Sequence, residues 1–109
     1  MNYIKFSHEY PKLRETIFPT IRRYDRYPSP GTIMTVKTPL ETFKATLIEK
    51  WKMPLNRISP HFLCYDSNTV TREEAIKRFN SFYRKPLAED EMLTVLWFRK
   101  ILVREEPQE

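Results

Sequence analysis

One glycine against nine prolines is the tightest constraint on how this chain can fold. With a single residue free to take positive φ without strain, its turns must be made mostly by Pro, Asn, Asp and Ser. Gly31 alone cannot supply a glycine-rich phosphate loop, so neither a Walker pattern nor a GxGxxG pattern is possible. That removes most nucleotide-hydrolysing and dinucleotide-binding enzymes at once.

Apolar periodicity sets the order of elements. "NYIKF", residues 2–6, alternates and predicts a first strand. "SHEYPKLRETI" predicts a short helix with Ser7 as N-cap, Pro11 in its first turn, and Tyr10, Leu13 and Ile17 at helical spacing. "PTIRR" is extended and runs into the turn-rich "RYPSPG". "TIMTVKT" and "ETFKATLIEKW" predict a strand pair, with Phe43, Ala45 and Leu47 on the buried face of the second. "KMPLNRISPHFLCYDSN" reads as irregular apart from a one-turn helix opened by Ser59 and Pro60. "TREEAIKRFNSFYRK" predicts a helix. Thr71 and Glu74 form its capping box, and Ala75, Ile76, Phe79, Phe82 and Tyr83 form its apolar face. "EMLTVLWFRKILV", residues 91–103, is apolar enough to predict a central strand buried on both faces.

Strands outnumber helices and do not alternate with them as in a doubly wound sheet. The predicted fold class is α+β and β-rich, a small, partly closed β-barrel with helices packed against it. A single domain is expected over residues 1–103, with an acidic, frayed C-terminal tail at 104–109.

The net charge is +5 and the pI is near 9.4, and carboxylates are sparse in the first half. Residues 10–60 carry only Glu15, Asp25, Glu41 and Glu49. The body of the protein therefore presents a basic field that favours a polyanionic partner. No apolar run approaches a membrane span, and "MNYIKFSHEYPKL" lacks the layout of a signal peptide, so a cytoplasmic protein without a membrane partner is expected. A lone cysteine, Cys64, has no internal disulfide partner. Neither it nor His8 and His61 has metal-ligand spacing, so no metal or cofactor is expected, and Cys64 reads as a small buried side chain.

"FPTIRRYDRYP", residues 18–28, concentrates arginines and tyrosines between prolines. In an extended chain Thr20, Arg22 and Tyr24 share one face, and Ile21, Arg23 and Asp25 share the other. With Ile21 in the core, Thr20 and Arg22 line any cleft. The planar fork of an arginine matches a phosphate, and a neighbouring tyrosine ring can stack on a base. The candidate nucleic-acid-binding residues are Thr20, Arg22, Arg23, Tyr24 and Arg26, with Lys37 extending the basic track. The bland alternative is that these arginines pair with Glu15, Asp25 or a distant carboxylate, where an exposed pair contributes only ~0–1 kcal/mol. Lys52 and Arg57 read as solvated surface. Lys77, Arg78, Arg84 and Lys85 complement the macrodipole of the last helix. Trp51 and Trp97 are core candidates first, Trp51 being the better exposed ring, and Phe79, Phe82 and Tyr83 read as core.

The order of these elements and the residues at their joints resemble the ASCH family of the PUA-like superfamily across residues 2–102. The matching stretches are "IKF", "TIR" at 20–22, "PG" at 30–31, "TREEAIKRFNSFY" at 71–83 and "LTVLWFRKI" at 93–101. The resemblance implies a PUA-like barrel and a cleft lined by "TIRR", suited to an RNA strand or a nucleotide-like ligand. The family segment G-x-K-x-x-T-x-R falls on Glu15, Ile17, Thr20 and Arg22, so its Thr and Arg are present while its Gly and Lys are not. Some members are similar to small amidohydrolases that deacetylate a modified cytidine, using that Lys, that Thr and a Glu before the last helix. Ile17 cannot take a proton, and Asp66 is the only carboxylate in "CYDSNTV", so the activity does not carry over. The implied function is a non-catalytic RNA- or nucleotide-binding module. The alternatives are an enzyme acting on a modified nucleoside or RNA through Asp66 or Glu15, and a protein-interaction adaptor.

Overall fold

A computed structural model describes residues 2–83 and 85–102. Arg84 and the acidic tail lie outside these residues. Five strands, β1 (Tyr3–Lys5), β2 (Ile17–Arg22), β3 (Ile33–Lys37), β4 (Thr42–Pro54) and β5 (Met92–Lys100), form one sheet in the order β1-β3-β4-β5-β2. β1 runs parallel to β3 and every other pair is antiparallel. The sheet curls into a half-barrel and carries two helices, α1 (Pro60–Ser67) and α2 (Arg72–Ser81). The fold is α+β and β-rich, as its periodicity predicts. Among the described residues no helix is long and apolar enough to cross a membrane.

Alternation within the strands builds two cores, one on each face of the sheet. Ile4, Phe18, Met34, Val36, Ala45, Leu47, Leu96 and Phe98 fill the concave face, with Phe18 stacked on Phe98 at 5.5 Å. On the convex face Ile21, Leu93 and Val95 pack under the helices against Leu63, Ala75 and Phe79. β5 therefore buries both faces, which explains its near-continuous apolar run. A register shift between Leu47 and Glu49 inserts Ile48 into β4 and bends that strand, which helps to curl the sheet.

Two local expectations are corrected. Residues 7–17 do not form an α-helix. A 3-10 turn spans Pro11–Arg14, with Tyr10 rather than Ser7 at its cap and no side-chain cap bond. Pro11 withholds an N–H, and the chain re-extends at Glu15 because β5 recruits it, Lys100 N–H donating to the Thr16 carbonyl at 2.8 Å. Ile17 consequently lies in β2, 41% exposed, rather than on a helix face. The second correction concerns the irregular stretch after β4, where α1 runs for eight residues instead of one turn. Ser59 accepts from the Phe62 amide, and Asn68 ends the helix at φ 55°, a left-handed conformation that Asn tolerates. Cys64 on this helix is half-buried rather than buried.

The cap of α2 and the glycine turn agree with the sequence reading, whereas β4 continues through Lys52–Pro54, read as irregular, and α2 ends at Ser81, short of Phe82 and Tyr83. Thr71 caps α2 by accepting from the Glu74 amide at 3.2 Å. Gly31 takes φ 97° in the turn before β3, where its N–H donates to the Leu47 carbonyl. A Cβ there would meet nothing within 4 Å, so backbone conformation rather than crowding calls for glycine.

Truncation should register this layering. Phe18→Ala, at a side chain with no exposure, is expected to cost about 3–5 kcal/mol in urea unfolding. Thr71→Ala should cost about 1 kcal/mol through the lost cap. Equal, small losses for both would mean that the concave core is not packed around Phe18.

Candidate functional site

The half-barrel does not close, and the site lies at its seam. The Lys100–Thr16 bond fixes the β2–β5 register so that residues 18, 20 and 22 exchange ladder bonds with β5, while 17, 19, 21 and 23 turn their backbone groups to the free edge. That edge is blunted position by position. Pro19 has no N–H to expose, the Asp66 carboxylate lies close enough to the Ile21 amide to be favoured by it, and the Arg23 amide donates to the Tyr83 hydroxyl at 3.2 Å. Side chains from α1 and from just beyond α2 thus stand where another strand would pair.

The other edge of the half-barrel is β1, and Arg22 spans the gap to it. Its Nη2 donates to the Lys5 carbonyl at 3.1 Å, its Nε donates to Thr20 Oγ1 at 3.1 Å, and its guanidinium lies 4.8 Å from the Phe6 ring centroid. Between the two edges opens a cleft of about 430 Å³. Phe6, Tyr10, Phe79, Phe82 and Tyr83 provide aromatic walls, Lys5, Arg22 and Arg78 provide positive charge, and Ser7, Thr20 and Ser67 provide hydroxyls.

Lys12 and Asp66 also line the cleft, paired with each other. The Lys12 ammonium donates to Asp66 Oδ1, and the two side chains are only 2% and 5% exposed. It also sits 5.2 Å from the Phe6 centroid and 5.1 Å from that of Tyr10, where ring faces favour a cation. Burial pushes the Lys12 amine below its ordinary value and the Asp66 carboxyl above its own, and the ion pair opposes both shifts. Burial also pushes the Tyr10 phenol up, although Arg78 beside it favours the phenolate.

The structure brings together two of the residues picked from the sequence, Thr20 and Arg22, and disperses the rest. Arg23 turns to the opposite face of β2, where Nε and Nη2 hold Glu91 in a two-bond fork at 2.5 and 2.9 Å, and its remaining donors reach the carbonyls of Lys85 and Pro86. Its role is to fasten the loop before β5. Tyr24 stands beside the cleft, 54% exposed, edge-on to Tyr83 at 6.1 Å and with Arg26 at 5.3 Å from its ring centroid. Asp25 binds Lys50 at 3.1 Å and Lys52 at 3.6 Å, which anchors the loop of Tyr24 and Arg26 to β4. Lys37 lies away from the cleft on the outer face of β3, over the Tyr3 ring.

Sequence reasoning passed over Lys12, Phe6, Tyr10 and Arg78. An isolated lysine in a polar stretch carries no signal of burial, and Arg78 reads as a helix-end charge. Phe82, expected in the core, is 46% exposed and lines the cleft. Ile17, the position that the sequence resemblance set against a lysine, faces away from the cleft, and the buried lysine of the cleft, Lys12, comes from the 3-10 turn. Among the described residues no group of three or more metal-ligating side chains occurs. Set against protein-family models, curated proteins and solved structures, the chain matches none.

Removing one member of the buried pair should be far costlier than replacing both. Lys12→Met or Asp66→Leu alone is expected to lose about 3–5 kcal/mol, whereas the double variant recovers most of it. Additive losses in chemical denaturation would contradict the pairing. A second expectation concerns acid. The hydrogen bond from Arg23 holds the Glu91 carboxyl below the usual glutamate range. The stability it contributes is complete above the unfolded-state value and is lost as pH falls through the lower folded-state value. Glu91→Gln should flatten that acid limb, and an unchanged pH profile of unfolding would contradict it.

Proposed function

We propose that the cleft binds one nucleotide unit of an RNA strand, or a free nucleotide-like ligand, as a non-catalytic recognition module. The observation that carries this reading is the juxtaposition of an arginine fork with aromatic walls at the open seam. Arg22 is held by Thr20, Lys5 and Phe6 and still has N–H donors for a phosphate. Phe82, 46% exposed, and the half-buried Tyr83 offer ring faces and edges to a base, while Phe6, Tyr10 and Phe79 form the buried wall behind them. At about 430 Å³ the cleft falls within the usual range of small-ligand sites. The exposed Tyr24 ring, flanked by Arg26, offers a stacking surface for a neighbouring base. A PUA-like relationship, suggested by the sequence, fits the same reading.

A second reading is favoured by the buried pair. Lys12, Thr20 and Asp66 line one cleft, and they are the kinds of group that amide hydrolysis on a modified nucleoside would use. Ile17 argued against this chemistry from sequence, and Lys12 supplies an amine from elsewhere in the chain. Release of acetate from N-acetylated cytidine, lost in Thr20→Val, would establish this reading over the first.

Fluorescence anisotropy with a labelled single-stranded RNA tests the binding reading. Affinity should fall steeply with salt. Arg22→Ala should weaken binding tenfold or more, the equivalent of one charge-assisted hydrogen bond of roughly 1.5–3 kcal/mol. Equal binding by wild type and variant, or binding that ignores salt, would contradict it and favour a protein-interaction role.

A further inference from the structure

The helices leave part of the convex face of the sheet bare, and that part is basic. In β1 and β3 the buried positions are Ile4, Met34 and Val36, so Lys5, Thr35 and Lys37 turn outward. Register extends the same face across the sheet. Lys5 lies opposite Lys37, Lys37 opposite Thr42, Thr35 opposite Lys44, and Thr46 opposite both Ile33 and Arg99. Lys5, Lys37, Lys44 and Arg99 therefore form a diagonal that advances one strand at a time, with Thr35, Thr42 and Thr46 in the intervening positions. From strand geometry the first step is about 5 Å and each of the next two about 8 Å.

Two features set this diagonal apart from an ordinary solvated surface. Among the described residues none of the four cations is in an ion pair, although Lys12, Arg23, Lys50, Lys52 and Arg72 all are. Carboxylates on β4 and its approach, Glu41 and Glu49, fall at the two ends of the row rather than within it. In addition, Lys5 and Lys37 are direct cross-strand partners, a like-charge arrangement that destabilises a sheet. A chain that keeps such a pair exposed holds positive charge density there at a cost in stability.

Lys5 belongs to both places, since it stands on this face and lines the cleft. We propose that the diagonal is a phosphate track: an RNA strand with one nucleotide in the cleft continues past Lys5 and across the convex face, with its backbone on Lys37, Lys44 and Arg99. The threonine hydroxyls add donors to phosphate oxygens. This rests on the cleft's taking a nucleotide, and it makes the ligand a polynucleotide rather than a mononucleotide. The strand then leaves the cleft on the side away from Tyr24.

The test pairs two probes with one double variant, Lys37→Glu/Lys44→Glu, both at exposed side chains, with circular dichroism to verify folding. Cytidine monophosphate reads the cleft, and a single-stranded RNA of roughly 12 nucleotides, within the span that such surfaces cover, reads cleft and track together. The variant should bind the RNA at least tenfold more weakly while its affinity for the mononucleotide is unchanged. Its log–log salt slope should flatten by about 1.4, two contacts at about 0.7 each. RNA affinity and slope equal to wild type would overturn the track while leaving the cleft reading intact. So would a wild type that binds the nucleotide but gains nothing from the longer strand. A wild type that binds neither probe overturns both.

Discussion

The contact between Lys12 and Asp66 holds the open side of this half-barrel together. It joins the 3-10 turn that follows β1 to helix α1, across a gap that no strand bridges. Asp66 also stands beside the Ile21 amide on the free edge of β2, so one carboxylate covers an edge and anchors a turn. Burying two charges is expensive, and a well-packed apolar pair is often as stable or more so. What the charged pair provides that an apolar one does not is a polar floor for a cleft, with groups able to donate and accept hydrogen bonds.

The rest of the site follows from how the sheet divides its two faces. β5 is covered on both sides, so its strands and helices leave little freedom in that half of the molecule. The opposite half ends in β1, three residues long, with Arg22 rather than backbone pairing linking it to β2. Closing the barrel with ladder bonds would have filled the seam. Leaving it open gives solvent access to Arg22, Phe82 and Tyr83 above a buried wall of Thr20, Phe6, Tyr10 and Phe79 on a rigid frame, the setting in which ligand sites are usually found.

Much of this was legible from residue order, and what was not has physical causes. The strands at 33–37 and 92–100 and the first ten residues of β4 follow from alternation and β-branched density, whereas its end at Lys52–Pro54 reads as irregular; α2 follows from its Thr71 cap and apolar face. Thr20 and Arg22 could be assigned to a cleft because period-two alternation fixes the side opposite Ile21. The turn at Pro11–Arg14 was misread because Tyr10, Leu13 and Ile17 have helical spacing, whereas tertiary pairing of Thr16 with β5 decides the conformation. Lys12 was invisible for a related reason: its burial depends on Asp66, fifty-four positions away, and no local pattern encodes that partner. Arg23 sits beside Arg22 in sequence, yet the same alternation sends it to Glu91 and a structural task. Adjacent arginines in one motif can therefore have unrelated roles.

Amide chemical-shift mapping by NMR, with cytidine monophosphate titrated into the labelled protein, asks most directly whether the open seam is a ligand site. If it is, saturable shifts will concentrate on Phe6, Ser7, Ile21, Arg22, Phe79 and Tyr83, which border the cleft from both edges of the half-barrel and from the end of α2. Shifts absent from this set, or spread over the surface without saturation, would contradict a nucleotide site at the seam and leave Lys12, Asp66 and Arg22 as the braces of an unclosed barrel.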